Sequence, residues 1–180
     1  MVGHCLIRIT EQTVVVTGGM SVEGREKRTW YLSLEDGEWN STRGPDMIFN
    51  RYQHACNSFT FNNELILAVV GGAANAAFNV SEFLSYYSEK PQWDNRDTEL
   101  DLPYYPQAYA QLLVSNGETL FYINTWTNVF FRLKWNFEEG FQWVAMNLRL
   151  ETQRGYAVGV LIPDTLTNCT KTAIEIKDVD

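Results

Sequence analysis

Histidine and cysteine are the side chains best suited to hold a metal or act as nucleophiles, and this chain has few of them. There are two histidines, His4 and His54, and three cysteines, Cys5, Cys56 and Cys169. No HxH or HxxxH pair presents two imidazoles together, as a metal site built on one strand or helix would require. No CxxC occurs, and three scattered cysteines are too few for a disulfide framework. Each is expected to fill a small core or strand position, since free cysteine packs as a small hydrophobe. There is no GxSxG elbow, no phosphate-cradling loop and no carboxylate pair placed for acid–base work. Glu138-Glu139, just before Gly140, reads as a solvated turn. No catalytic residue, metal or cofactor is expected.

Charge and hydropathy exclude further classes. Twenty-two acidic residues against 14 basic ones give a net charge of -8, which repels a phosphate backbone, so nucleic acid is not an expected partner. No apolar run approaches the 18 or so residues of a membrane-spanning helix. The start, MVGHCLIRIT, lacks the charged and apolar segments of a secretory leader. The compartment stays open between cytoplasm and the secretory route. Sequons occur at Asn40, Asn79 and Asn168, close to chance for 14 Asn and 23 Ser plus Thr. With 45% hydrophobic residues in 180, the chain can bury a core as one domain or a piece of one.

The elements that must position any site are short strands. Apolar and β-branched runs cover residues 5–9, 13–17, 30–34, 65–70, 83–87, 109–114, 120–123, 129–133, 141–146 and 156–162. Turn-prone pieces separate many of them: EDGE, FNNE, SNGE and FEEG. These are hairpin signals at the spacing of an all-β meander. No window sustains a helical period, and residues 72–83 read as a loop.

The strands repeat. VVVTGG ends at Gly18-Gly19, and LAVVGG ends at Gly71-Gly72, 53 residues on. Trp39 follows the first pair by 20 residues, Trp93 the second by 21, and Trp143 follows Trp93 by 50. LFYINT, residues 120–125, keeps the strand but has Asn124-Thr125 in place of the glycines. Arg51, Tyr105 and Arg154 each open a similar lead-in segment. A glycine pair at a strand end admits a neighbouring backbone or a bulky ring. A tryptophan on an outer strand can cover the gap between neighbouring sheets. An arginine leading into the next unit can bond exposed carbonyls or a carboxylate.

This register of GG, aromatic, Trp and Arg resembles the kelch repeat over residues 3–163. The resemblance implies an all-β fold of four-stranded antiparallel blades, each a propeller unit. It places blade one at 3–43, blade two at 52–97, blade three at 106–147 and the start of a fourth at 154–177. Gly18, Gly19, Trp39, Gly71, Gly72, Trp93 and Trp143 are its structural marks. Natural rings have about 4–8 blades, so an incomplete ring is expected, a piece of a longer propeller whose open edges invite self-association. Some kelch-like propellers are copper oxidases. Here the two histidines occupy matching positions in successive units, where the repeat itself would put them. Residues 33–39, SLEDGEW, loosely resemble the Asp-box turn of sialidases, but a type I′ hairpin at Asp36-Gly37 is the simpler account.

In such a meander the second-to-third-strand loops and the loops between units share one end of the sheets. That end collects Arg25, Lys27, Arg28, Arg51, Arg96 and Arg154 with Tyr104 and Tyr105, a composition favoured in binding hot spots. The resemblance implies a non-enzymatic protein-interaction scaffold with another protein as partner, and the local positive charge of this end suits an acidic peptide as ligand. A kelch-like oxidase, a carbohydrate-active enzyme or a secreted sugar-binding propeller is the alternative.

Overall fold

A computed structural model describes residues 2–74, 80–95, 110–124, 129–137 and 140–147. These residues form antiparallel sheets, with no helix among them. The first sheet contains β1 (Cys5–Arg8), β2 (Thr13–Thr17), β5 (Thr29–Glu35) and β6 (Glu38–Arg43), in the order β1-β2-β5-β6. Between β2 and β5 lies a small hairpin of β3 (Met20–Ser21) and β4 (Gly24–Arg25). The chain then runs through β7 (Arg51–Tyr52) into β8 (Ala55–Phe61) and β9 (Glu64–Val70). Next come β10 (Ala73–Ala74), which pairs with β7, and β11 (Ser81–Ser85). The second sheet is ordered β11-β9-β8, extended by a Phe83–Asp94 bridge beyond β11. The third holds β12 (Gln111–Ser115), β13 (Thr119–Asn124), β14 (Val129–Asn136) and β15 (Gly140–Ala145), in sequence order.

Local chemistry explains the hairpins. Asp36-Gly37, Asn62-Asn63 and Asn116-Gly117 all have positive φ at both positions, the geometry of a type I′ turn, which Asn, Asp and Gly tolerate best. The first two close two-residue hairpins, Glu35 opposite Glu38 and Phe61 opposite Glu64, and the third a three-residue loop with Ser115 opposite Thr119. Two strands carry little sequence signal. Every residue of β6 is exposed, so nothing selects an apolar alternation there. In β8 the pair Asn57-Ser58 interrupts the apolar pattern. Residues 72–83, expected as a loop, contain β10 and the start of β11.

Apolar side chains fill two layers. Ile7 and Val15 of the first sheet meet Leu67, Val69 and Leu84 of the second, with Met47 and Trp93. Phe59, Ile66, Ala68 and Phe83 on the second sheet's other face meet Leu120, Tyr122, Phe131 and Phe141 of the third. The first strands of the three sheets lie side by side. Asn57 on β8 donates to the Leu112 carbonyl on β12 at 2.9 Å. Cys5 on β1 and Cys56 on β8 form a disulfide with Cα atoms 6.0 Å apart. This corrects the expectation that these cysteines merely fill space. Their separation of 51 residues hides the pairing, which only the adjacency of β1 and β8 reveals. Cys169 and residues 154–177 lie outside the described residues.

Candidate interaction surface

The glycine pairs sit where backbones cross. Gly18 has φ +57°, and a Cβ there would lie 2.5 Å from the Arg51 carbonyl oxygen. Gly72 has φ +88°, and a Cβ would lie 2.7 Å from the Tyr52 carbonyl oxygen. The segment 51–54 thus passes between the two glycine corners. The Gly19 amide donates to the Arg51 carbonyl at 2.9 Å, and the Arg51 amide to the Glu26 carbonyl at 2.9 Å. These bonds lace the β2–β5 loop to the loop between sheets.

Arg51 was expected on an accessible binding face, and the structure corrects this: its side chain is fully buried. Its guanidinium donates to the Gly71 carbonyl at 2.8 Å, the Val80 carbonyl at 3.1 Å and Glu82 Oε1 at 2.5 Å. Glu82, also fully buried, accepts a further bond from the Ile48 amide at 2.5 Å. An arginine fork meeting carbonyls and a carboxylate is the role the repeat suggested for a lead-in arginine. Burial pulls the guanidinium pKa down, and the Glu82 charge opposes that shift. His54 lies beside it, buried, with Nε2 2.8 Å from Thr17 Oγ1. Among the described residues no three His, Cys, Asp or Glu side chains converge as metal ligands.

The other described basic residues of this end, Arg25, Lys27 and Arg28, are engaged within the chain. Arg28 donates to both oxygens of Glu26 at 2.5 Å and to Glu23 at 3.2 Å. Hydrogen bonds from Arg28 and Ser21 hold the Glu26 carboxyl below the usual carboxylate range. The Lys27 ammonium lies 4.0 Å from Asp46. The Arg25 guanidinium sits 5.5 Å from the Tyr52 ring centre. An acidic ligand would have to compete with Glu23, Glu26 and Asp46 here. Arg96, Tyr104, Tyr105 and Arg154 lie outside the described residues.

The three tryptophans of the repeat occupy different settings. Trp93 is buried and donates its indole N–H to Thr29 Oγ1 of the first sheet at 3.0 Å. Trp143 is half-buried and donates to Ser81 Oγ of the second sheet at 2.8 Å. Thr29 opens β5 and Ser81 opens β11, so each bond joins a sheet to the one before it at a matching position. Trp39 has no earlier sheet to meet among the described residues and is 57% exposed.

Register places a whole surface around Trp39. Strand pairing puts Leu6, Val14, Val16, Trp30, Leu32, Leu34 and Trp39 on one face of the first sheet, together with Arg8, Ser41 and Arg43, whose guanidinium lies 5.3 Å from the Trp30 ring centre. All are half-buried or exposed, Leu6 at 57%. The opposite face, with Ile7, Val15, Thr17 and Thr29, is buried against the second sheet. In the second and third sheets the face corresponding to Trp39's is covered, by Ile7 and Val15 in one case and Phe59 and Phe83 in the other. Sequence reading missed this surface. The signal was present, because Trp39 carries the repeat's tryptophan in its first unit.

At the hairpin end, opposite the loops, a cleft of about 670 Å³ opens between the second and third sheets. Phe61, Trp135 and Phe141 line it with ring centres 5.0 Å apart, and Asn62, Asn63 and Glu118 supply polar walls. Neither a scan against protein-family models nor a search of the curated proteins finds a match for this chain.

Proposed function

We propose that the chain is a kelch-type propeller piece with no chemistry of its own, a scaffold that binds protein through an uncovered sheet face. Three consecutive meanders with converging first strands support the propeller reading, as do glycine corners crossed by backbone and tryptophans bonded to the preceding sheet. The observation that carries the binding role is the apolar face of the first sheet around Trp39 and Leu6. Exposed apolar side chains gathered on one sheet face and rimmed by polar residues mark interaction sites. The occupant follows from the repeat: in the other two sheets, this face is covered by another sheet of the same build. For the isolated 180-residue chain, a second copy supplies that sheet. Light scattering of the purified chain across a concentration series should show reversible association. Trp39→Glu should weaken it about tenfold or more while leaving the circular dichroism unchanged. A wild-type chain that stays monomeric at about 100 μM would overturn the reading.

A second reading rests on the hairpin-end cleft. An exposed indole beside asparagine side chains can stack on a sugar ring and bond its hydroxyls. Sugar-dependent quenching of tryptophan fluorescence, lost in Trp135→Ala, would favour a carbohydrate binder over the scaffold.

A further inference from the structure

We infer that the fold is built for an oxidising compartment and that Asn40 is an N-glycan acceptor there. Two independent observations carry this. The first is the Cys5–Cys56 disulfide, which ties the first strand of one sheet to the first strand of the next. Structural disulfides form and persist outside the reducing cytosol. The bond closes a separation of 51 residues and joins sheets that also meet through apolar packing and the Trp93–Thr29 and Ser58–Arg8 hydrogen bonds. Its formation removes one hydrogen from each thiol. The two electrons pass by thiol–disulfide exchange to an oxidised dithiol protein or glutathione disulfide, which is reduced in turn.

The second is the setting of Asn40. The sequon Asn40-Ser41-Thr42 lies on β6, an outer strand of the first sheet, where every residue is exposed. Asn40 pairs with Ser33 in the register, and its side chain makes no hydrogen bond to another described residue. A transferase can therefore reach the amide without unfolding a core. In that step a bond forms between Asn40 Nδ2 and the sugar's anomeric carbon. The bond from that carbon to a lipid pyrophosphate breaks, and the amide loses a proton. Register also separates the modification from the proposed docking face. Asn40 points to the opposite side of the sheet from Trp39, its neighbour in sequence. A glycan there would leave Trp39 uncovered, so the two proposals stand or fall separately.

The test uses the full 180-residue chain behind a secretory leader in eukaryotic cells, with Asn79→Gln and Asn168→Gln so that only one sequon remains. Peptide mass analysis should find a glycan on Asn40 in most molecules, abolished by Thr42→Ala. Non-reducing digests should yield the linked Cys5 and Cys56 peptides, protected from alkylation until reduced. If the cell retains the chain, the same readouts apply to protein translated into microsomes. The same chain made without the leader should carry free thiols and melt at a lower temperature. An unmodified Asn40 in the exported chain would overturn the proposal. Alkylatable Cys5 and Cys56 in folded exported protein, or equal melting temperatures for the two forms, would do the same.

Discussion

The indole N–H of Trp93 reaches across from the second sheet to bond Thr29 Oγ1 in the first at 3.0 Å. Both residues are buried, so water cannot replace a lost partner. Trp93→Phe keeps most of the ring volume but strands the Thr29 hydroxyl, at a cost of about 1–3 kcal/mol. Trp39→Phe removes an indole from a surface already open to solvent and should shift stability by under about 0.5 kcal/mol in dilute protein. Urea unfolding of the two variants separates them. Equal losses would mean that the Trp93 bond contributes nothing specific.

The Arg51–Glu82 pair should be far more sensitive. Both side chains are fully buried. Removing one partner leaves an uncompensated charge, a loss of about 3–5 kcal/mol. Replacing both with apolar residues should not restore stability here, in contrast to a simple ion pair. The carbonyls of Gly71 and Val80 and the amide of Ile48 would be left without their partners. Denaturation of Arg51→Met, Glu82→Leu and the double variant gives the coupling. A double variant as stable as wild type would show that those backbone bonds are dispensable.

Gly18 and Gly37 offer a matched comparison of glycine roles. Both have positive φ, but a Cβ on Gly37 meets nothing within 4 Å, whereas one on Gly18 strikes the Arg51 carbonyl oxygen at 2.5 Å. Gly37→Ala should cost the backbone strain alone, about 1–2 kcal/mol. Gly18→Ala adds a collision with backbone that is itself bonded to Gly19, and should cost at least about 1 kcal/mol more. Melting curves of the two variants decide the matter; similar values would mean that the crossing can open at little cost.

How much of this was legible varies with the range of the physics. Turns at Asp36-Gly37, Asn62-Asn63 and Asn116-Gly117 are local, so two residue types suffice to mark them. Strands such as β2 and β9 announce themselves through continuous β-branched and apolar residues; both faces of β9 are covered, whereas β2 leaves Val14 and Val16 on the open face of the first sheet. β6 does not, since an exposed outer strand needs no apolar face. The Cys5–Cys56 bond depends on which strands become neighbours, and spacing alone carries no such information. Arg51 was read two ways, as a carbonyl-bonding lead-in and as a surface cation. Arginine is usually exposed, and the sequence does not show that Glu82 waits for it in the interior. The face around Trp39 was missed for the reverse reason: the repeat marks that residue as one that packs, and only the arrangement of sheets shows that nothing described covers it.

The buried imidazole of His54 should make the fold sensitive to acid. Desolvation, helped by the Arg51 and His4 charges, pushes its pKa from the ordinary 6.5 down to about 3. Burial beside the Arg51 charge favours the neutral ring, whose Nε2 lies 2.8 Å from Thr17 Oγ1. In the unfolded chain the ring titrates near 6.5, so between about pH 6.5 and pH 3 the unfolded state binds a proton that the folded state refuses. Stability from this group is therefore full above pH 6.5 and falls as the pH drops, by up to roughly 1.4 kcal/mol per pH unit, levelling only below about pH 3. His54→Gln keeps a polar group near Thr17 and removes the titration. Urea midpoints at pH 7, 6, 5 and 4 should fall steeply for wild type and more gently for the variant, even if the variant is less stable at pH 7. Parallel pH profiles would show that protons reach His54 in the folded state, and that the ring is not sealed between the two glycine corners.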